Sequence, residues 1–447
     1  MPDSSSSWRI GAARERITPV LGCEMAGFDA RNGTADAVHD DLHARALVLD
    51  DGVTEVALVS VEVIAVSAEF TARVRSEVER ATGIPTGNVF LSATHTHCGP
   101  VTLHHFFNQS QPLDEAYLQV LGAGIVAAVR SAKRAKRNRR LRTGLVPCSG
   151  VAVNRRTADG LPVDPYAGVL LVLEEDGRPA VVAVLYACHT TVMGPDTLSL
   201  TQDFPFYTLA KLRSALGLGV ETIFFNGAEG DLSIGHKSDL SAVGIIDPYR
   251  TFATAQRLGE ILADAVLDGM ASLTVEPARV SVRSQQLALE LKQYAPVADM
   301  TQRREDALAA IGAQSGTELI AAKQRYLFAR IEEYYARLYE AAAGPEPKRL
   351  TAELSVIQLG ETSLVTLPGE VFVRIALNIR SASPFMKTMF LGLTNDYIGY
   401  VPDRFATATA GYEVIASRVP WNAGVEMEQA TLDMLHALQN VSVEMPR

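Results

Sequence analysis

An α/β fold, with mixed β-sheets flanked by helices and a helical hairpin inserted among them, is what this chain predicts, on three patterns. Short apolar, β-branched runs alternate with helical periodicity through the first hundred residues. Two apolar runs flank an acidic turn at Asp176-Gly177, as in a β-hairpin. A late segment rich in Ala, Glu, Arg and Tyr is broken at Gly312 to Gly316 and then gives way to strands again, as an inserted pair of helices would.

In chain order, ARALVLDD and the run from Val56 to Ile64 read as strands, Ser67 to Ala81 as a helix, and NVFLSATHTHCGP as a strand leaving into a Gly-Pro loop. From Leu113 to about Arg130 an amphipathic helix is expected. The basic run from Lys133 to Arg142 would be its C-terminal end, where cations suit the dipole, either as a solvated face or as a contact for anions or membrane. AGVLLVLEEDGRPAVVAVLYACHTT is the hairpin, its second strand running on to His189. A helix from Pro205 to Leu216 leads to the strand ETIFFN and the Gly-rich turn NGAEGDLS. Helical stretches at 251–270 and 300–343 flank a strand near Ala278 to Leu287; the second serves packing, an oligomer surface or a lid. LTAELSVIQL, SLVTLPGE and TMFLGLTND are further strands, followed by a loop rich in Tyr, Ala and Gly and a helix from Gly424 to Leu438.

The chain has 447 residues, 47% hydrophobic and 21% charged, enough for a core of ordinary globular size. No repeat or low-complexity linker divides it, so one domain over 1–447 with a helical insertion at 297–345 is expected. Lys and Arg number 41 against 51 Asp and Glu, and this net charge of −10 argues against nucleic acid as a partner. MPDSSSSWRIG lacks the pattern of an export signal, and no apolar stretch approaches about 18 residues. A cytoplasmic protein with at most peripheral membrane contact is the expectation. Cys23, Cys98, Cys148 and Cys188 are too scattered for a disulfide framework or a zinc knuckle, which suits a reducing compartment.

Chemistry concentrates where strands end. His95 and His97 in Thr94-His95-Thr96-His97 would share one face of a strand and point together into a site. His189 closes another apolar strand, and three imidazoles at carboxyl ends make zinc the expected ion. Glu370, in SLVTLPGEVF, is the carboxylate that would complete a hydrolytic site, although an acid at a helix start is often only structural. Glu62, Asp203 and His236 are candidates for supporting groups. Ser233 lies in a turn whose glycines let backbone N–H groups approach a ligand, or is an ordinary turn residue.

SATHTHCGP, GVAVNRR, LYACHTT, NGAEGDLS, LPGE, TNDYIGYV and GYE, in this order, resemble the neutral/alkaline non-lysosomal ceramidase family in its N-terminal catalytic domain. The resemblance implies one Zn2+ held by His95, His189, Glu370 and Tyr400. It further implies catalytic or substrate-binding roles for His97, Arg155, Tyr412 and Ser233. The chain departs from the family at Cys98, where a serine is usual, and at Ile234-Gly235, where Pro-Asn follows the serine. It also has no room for an immunoglobulin-like domain after the catalytic one.

The expected function is therefore a zinc-dependent hydrolase that cleaves an amide or ester bond of a small acylated substrate with metal-activated water. Tyr412 and Arg155 would stabilise the oxyanion, His97 would orient water or protonate the leaving nitrogen, and Ser233 would position groups rather than attack. The partner is a small or lipid-like acyl amide. Alternatives are a true ceramidase, a dinuclear amidohydrolase using His189 and His236, and a non-catalytic metal-stabilised binding protein. The oligomeric state is open.

Overall fold

The computed structural model describes residues 7–105, 113–312, 314–342, 344 and 347–444. Three larger sheets, accompanied by three two-stranded ones, organise these residues. The first orders its strands as Val89–Ala93, Glu55–Val61, His43–Asp50, Arg9–Arg16 and Arg137–Asn138. The second runs Glu221–Asn226, Pro179–Tyr186, Tyr166–Leu173, Arg140–Pro147 and Thr274–Val275, and the third Val280–Glu290, Arg349–Leu359, Thr362–Thr366 and Lys387–Leu391. The α/β class with mixed sheets is as the sequence predicts.

Each of the larger sheets contains one parallel pair among antiparallel neighbours. Glu55–Val61 pairs with Val89–Ala93, Pro179–Tyr186 with Glu221–Asn226, and Thr362–Thr366 with Lys387–Leu391. A parallel pair needs a crossover, and a helix supplies each one: Ala68–Thr82, Phe204–Leu216 and Val373–Ala382. The first of these is bounded as its sequence requires. Ser67 accepts the Phe70 N–H with its side chain, and Gly83 ends the helix at φ 77°.

Ile10, Leu47, Leu58 and Phe90 of the first sheet meet Leu170, Val172 and Phe225 of the second and Ile357, Leu364 and Met389 of the third in a shared core. Helices cover the outer faces: Ala68–Thr82 and Glu115–Arg134 on the first sheet, Phe204–Leu216 and Phe252–Gly269 on the second, and Val373–Ala382 with Asn422–Glu444 on the third. Strands buried on both faces explain continuous apolar runs such as PAVVAVLY.

The helical hairpin is real and has a simple place. Val297–Ile311 and Gly316–Ala341 lie in the connection between Val280–Glu290 and Arg349–Leu359, which pair antiparallel from Val280↔Leu359 to Glu290↔Arg349. The expected outer boundary at residue 345 falls outside the described residues.

The basic run is organised differently from the expected helix end. The helix stops at Arg134, and Arg137–Asn138 and Arg140–Pro147 are strands. Lys133 pairs with Glu55 at 2.6 Å, Lys136 with Asp50 at 2.5 Å and with Glu55, and Arg139 with Glu174 at 2.7 Å. Carboxylates at the ends of neighbouring strands thus pair with Lys133, Lys136 and Arg139, while Arg140 and Arg142 donate to backbone carbonyls. Among the described residues no helix is long and apolar enough to cross a membrane.

Candidate metal centre and pocket

The carboxyl ends of the three parallel pairs converge. Beyond Val89–Ala93 come His95 and His97, beyond Pro179–Tyr186 comes His189, beyond Glu221–Asn226 comes Glu229, and beyond Thr362–Thr366 comes Glu370. Asn226 ties them together. Its side chain donates to Thr94 O at 3.1 Å and accepts from Cys188 N at 3.2 Å, while its carbonyl accepts Gly392 N at 2.8 Å. A β-carbon at Gly392 would stand 2.0 Å from Gly227 O, so only glycine allows the sheets to approach this closely.

His95 and His97 converge for a reason other than strand alternation. The strand ends at Ala93, and His95 sits in the left-handed region at φ 68°. The loop, not a pleat, turns the two rings until their Nε2 atoms lie 3.2 Å apart. His95 Nδ1 is bonded to Ile64 O at 2.8 Å, and His189 Nδ1 to the carbonyls of Glu229 and Leu232, both at 2.9 Å. Each carbonyl fixes the proton on Nδ1 and leaves Nε2 with a lone pair toward the cluster. His189 Nε2 stands 2.9 Å from Glu370 Oε2, and His95 Nε2 3.6 Å from the same oxygen.

Two overlapping donor sets result, His95, His97 and His189, and His95, His189, Glu229 and Glu370, with donor atoms within 4.8 Å of one another. Burial drives the His97 pKa well below that of a free imidazole, with His95 adding to the effect, and burial followed by Arg155 brings His189 to about 4. Neutral imidazole is the ligating form. Burial penalises the Glu370 carboxylate, but His95 and His189 outweigh it and hold its pKa well below the usual range. Both oxygens of Glu229 are buried without a hydrogen-bond partner. Imidazole lone pairs, a carboxylate and orphaned carboxyl oxygens in so small a volume fit a divalent metal ion. These residues could coordinate one.

A pocket of about 180 Å³ opens beside the cluster, bordered by His95, His97, Glu370, Tyr397, Tyr400 and Tyr412 and by the loop at 24–33. Gly27 makes room for His97: a β-carbon there, at φ 101°, would stand 2.4 Å from the ring. Glu370 and Tyr400 face each other in a short parallel bridge, which brings both to this wall. Arg155 donates from Nη2 to the Tyr400 hydroxyl at 3.2 Å and from Nε to Glu413 at 2.7 Å. Burial opposes the charge of Arg155, but Tyr400, Glu413 and Glu370 prevail and raise its pKa above the ordinary value.

Residues 8–159 match the family described as neutral/alkaline non-lysosomal ceramidase, N-terminal. A structure of neutral ceramidase from Pseudomonas aeruginosa is similar at TM-score 0.76 and 19% identity, over 97% of this chain and 75% of that one. A ceramidase complexed with C2 is similar at TM-score 0.73 and 18% identity, with the same coverage of both chains. The N-terminal region and overall fold match the neutral/alkaline ceramidase family.

On this ceramidase fold His95 and His189 meet His97 in one donor set and Glu370 in the other, and Arg155, Tyr400 and Tyr412 line the space around them. Tyr400 meets Arg155 through its hydroxyl, and the Tyr412 ring lies 6.0 Å from that of Tyr400 at 77°. Ser233 stands apart. Its hydroxyl donates to His236 O at 3.1 Å and accepts from Gly235 N at 3.2 Å, it is fully buried, and it borders neither pocket beside the cluster.

The candidate supporting groups divide. His236 is buried and borders a small space with His97, His189 and Arg155, but it is not among the clustered donors. Asp203 accepts the N–H groups of Val192 and Met193 at 3.2 and 2.9 Å, so it holds the loop after His189 rather than its ring. Glu62 lies elsewhere, taking Arg45 Nε at 2.6 Å and His43 N–H at 2.5 Å. Sequence reasoning missed Glu229, Tyr397 and Glu413. Tyr397 donates to Glu370 Oε1 at 2.5 Å, and Glu413 accepts from both Arg155 and Arg156 at 2.7 Å. Glu229 and Tyr397 were visible as polar residues just past strand ends, inside NGAEGDLS and TNDYIGYV.

Proposed function

We infer that the protein is a zinc-dependent hydrolase that cleaves the amide, or ester, bond of a small acylated substrate. The observation that carries this reading is that His95 and His189 meet His97 in one donor set and Glu370 in another, beside a pocket of about 180 Å³ whose wall includes His95, His97 and Glu370. The likeness to ceramidase structures supports acyl-amide chemistry.

His95, His189, Glu370 and Tyr400 would hold the ion, which supplies Lewis acidity and a hydroxide nucleophile near neutral pH. His97, with one nitrogen toward His95 and its Nδ1 unpartnered, orients water or carries a proton to the leaving nitrogen. Arg155 and Tyr412 stabilise the oxyanion. Arg155 keeps its charge while buried, and a fixed positive charge in a dry site is worth more than in water. Glu413 holds that guanidinium in place. Ser233 acts at a distance, through the turn that carries His236 and Ser238.

Elemental analysis of the purified protein should give about one zinc per chain, lost in His95→Ala and His189→Ala. With the same zinc-loaded preparation, kcat/KM is compared for short N-acyl amides, simple esters or lactones, and detergent-solubilised long-chain ceramide. Preference for the short amides or esters supports the reading. A wide margin for ceramide replaces it with the second reading, a true ceramidase, which the fold likeness favours. Full metal occupancy in both histidine variants overturns the metal assignment.

A further inference from the structure

We propose that Glu229 is an additional metal ligand, a second carboxylate that completes a donor set of two imidazoles and two carboxylates with His95, His189 and Glu370. The inference rests on the metal-centre reading above and adds a residue to it. Its carboxylate is within 4.8 Å of the ligating atoms of all three residues, is fully buried, and has no hydrogen-bond partner for either oxygen. A buried carboxyl group without partners loses several kcal/mol of hydration unless a cation or a donor meets it. The ligating atoms of His95, His189 and Glu370 lie within 4.8 Å of it, so one shared cation would accept lone pairs from all four residues at once.

The backbone places the group with little freedom. Glu229 O accepts His189 Nδ1 at 2.9 Å and Leu232 N at 2.7 Å, so the residue that orients the imidazole also offers the carboxylate. Gly230 follows it and presses on Glu370, where a β-carbon would stand 2.3 Å from the Glu370 carbonyl oxygen. On the other side a β-carbon at Gly392 would stand 3.3 Å from Glu229 Oε2. Glu229 is absent from the pocket wall that His95, His97 and Glu370 share. A general base must reach the water that attacks substrate, so this placement favours coordination from the sheet side over proton transfer in the pocket.

Two carboxylates balance the charge of a divalent ion and make the donor set richer in oxygen. Manganese then competes with zinc better than it would at a set with one carboxylate. The decisive test is a crystal structure of the zinc-loaded chain, which needs no variant. A Glu229 oxygen at roughly 2.0–2.2 Å from the ion is expected. In solution, zinc and manganese are titrated separately into the metal-free protein and into Glu229→Gln, with thermal unfolding of both metal-free forms to confirm folding. The variant should bind zinc at least about tenfold more weakly, the scale on which even outer groups act, and manganese more weakly still. The cobalt-loaded forms should differ in their visible spectra. Zinc held by His95, His189 and Glu370 with Glu229 beyond about 3 Å, outside the ligand range, overturns this inference alone, as does unchanged affinity with an unchanged cobalt spectrum. Zinc absent from the cluster altogether overturns the metal-centre reading instead.

Discussion

The Tyr397 hydroxyl donates a 2.5 Å hydrogen bond to Oε1 of Glu370, while Oε2 of the same carboxylate faces His189 at 2.9 Å and His95 at 3.6 Å. One oxygen is therefore tied to the pocket wall and the other turned to the cluster. Burial raises the Tyr397 pKa well above the phenol value and Glu370 adds to the effect, so the hydroxyl keeps its proton and remains a donor. Tyr397→Phe removes the donor and frees the carboxylate to rotate. Zinc affinity should fall by about 10- to 100-fold, as it does when groups behind metal ligands are lost. Calorimetric titration of the metal-free protein checks this, and affinity within twofold of the parent would show that Glu370 is held by other contacts.

Arg155 depends on Glu413, which also takes Arg156 and the Ser238 hydroxyl. Glu413→Gln leaves two guanidinium groups beside a neutral amide in a buried place, and breaking such a pair is strongly destabilising, by about 3–5 kcal/mol. Arg155→Lys keeps a charge but loses the fork that spans Glu413, Gly230 O and Tyr400. Its kcat should drop by about 10²–10³ with zinc content unchanged. Urea unfolding tests the first substitution, and steady-state kinetics with metal analysis tests the second. Loss of zinc in Arg155→Lys would place the arginine among the groups that hold the ion.

Much of this centre was legible because polar residues interrupt apolar runs at strand ends. His95, His189 and Glu370 each follow such a run, and each reaches the cluster. The geometry behind them was not legible. His95 at φ 68° belongs to a loop, and a left-handed histidine has no signature in a one-dimensional pattern. Glu229 has no such signal because an acid in a Gly-rich turn reads as turn chemistry, and its place in the cluster depends on Asn226, Gly230 and Gly392 drawing three sheets together. The basic run misled for a related reason. Its partners Asp50, Glu55 and Glu174 are distant in sequence and come adjacent only when the helix and the segment after it pack beside the strand ends.

Ser233 is held by its own turn, so its substitution should act on the loop and not on a covalent step. Ser233→Ala removes the bonds to His236 O and Gly235 N and should cost about 1–2 kcal/mol in stability. Activity should fall without vanishing, because His236 and Ser238 shift while the clustered imidazoles and carboxylates stay. Rapid quenching of turnover followed by intact-protein mass spectrometry should find no acylated enzyme. An acyl adduct mapped to Ser233 would make the hydroxyl a nucleophile and require the turn to open.

Asp203 holds the loop after His189 by accepting the N–H groups of Val192 and Met193, and it caps the helix Phe204–Leu216 at Phe204 N. Burial outweighs these three bonds and raises its pKa from 3.8 to about 6. Between those values the folded carboxyl keeps a proton that the unfolded chain has released. Its contribution to stability is thus fully present below about 3.8 and is lost as pH rises through about 6. Asp203→Asn keeps the side-chain shape at this strained backbone position, φ 67° and ψ −148°, and cannot ionise, so it lacks this slope. The variant should be less stable throughout, since its amide turns a donor toward backbone donors. The gap in Tm between parent and variant, measured on metal-free protein, should narrow from pH 4 to pH 7, and the other titrating groups cancel in the difference. A gap that widens over that window would mean that the three N–H bonds stabilise the ionised carboxylate more than burial penalises it.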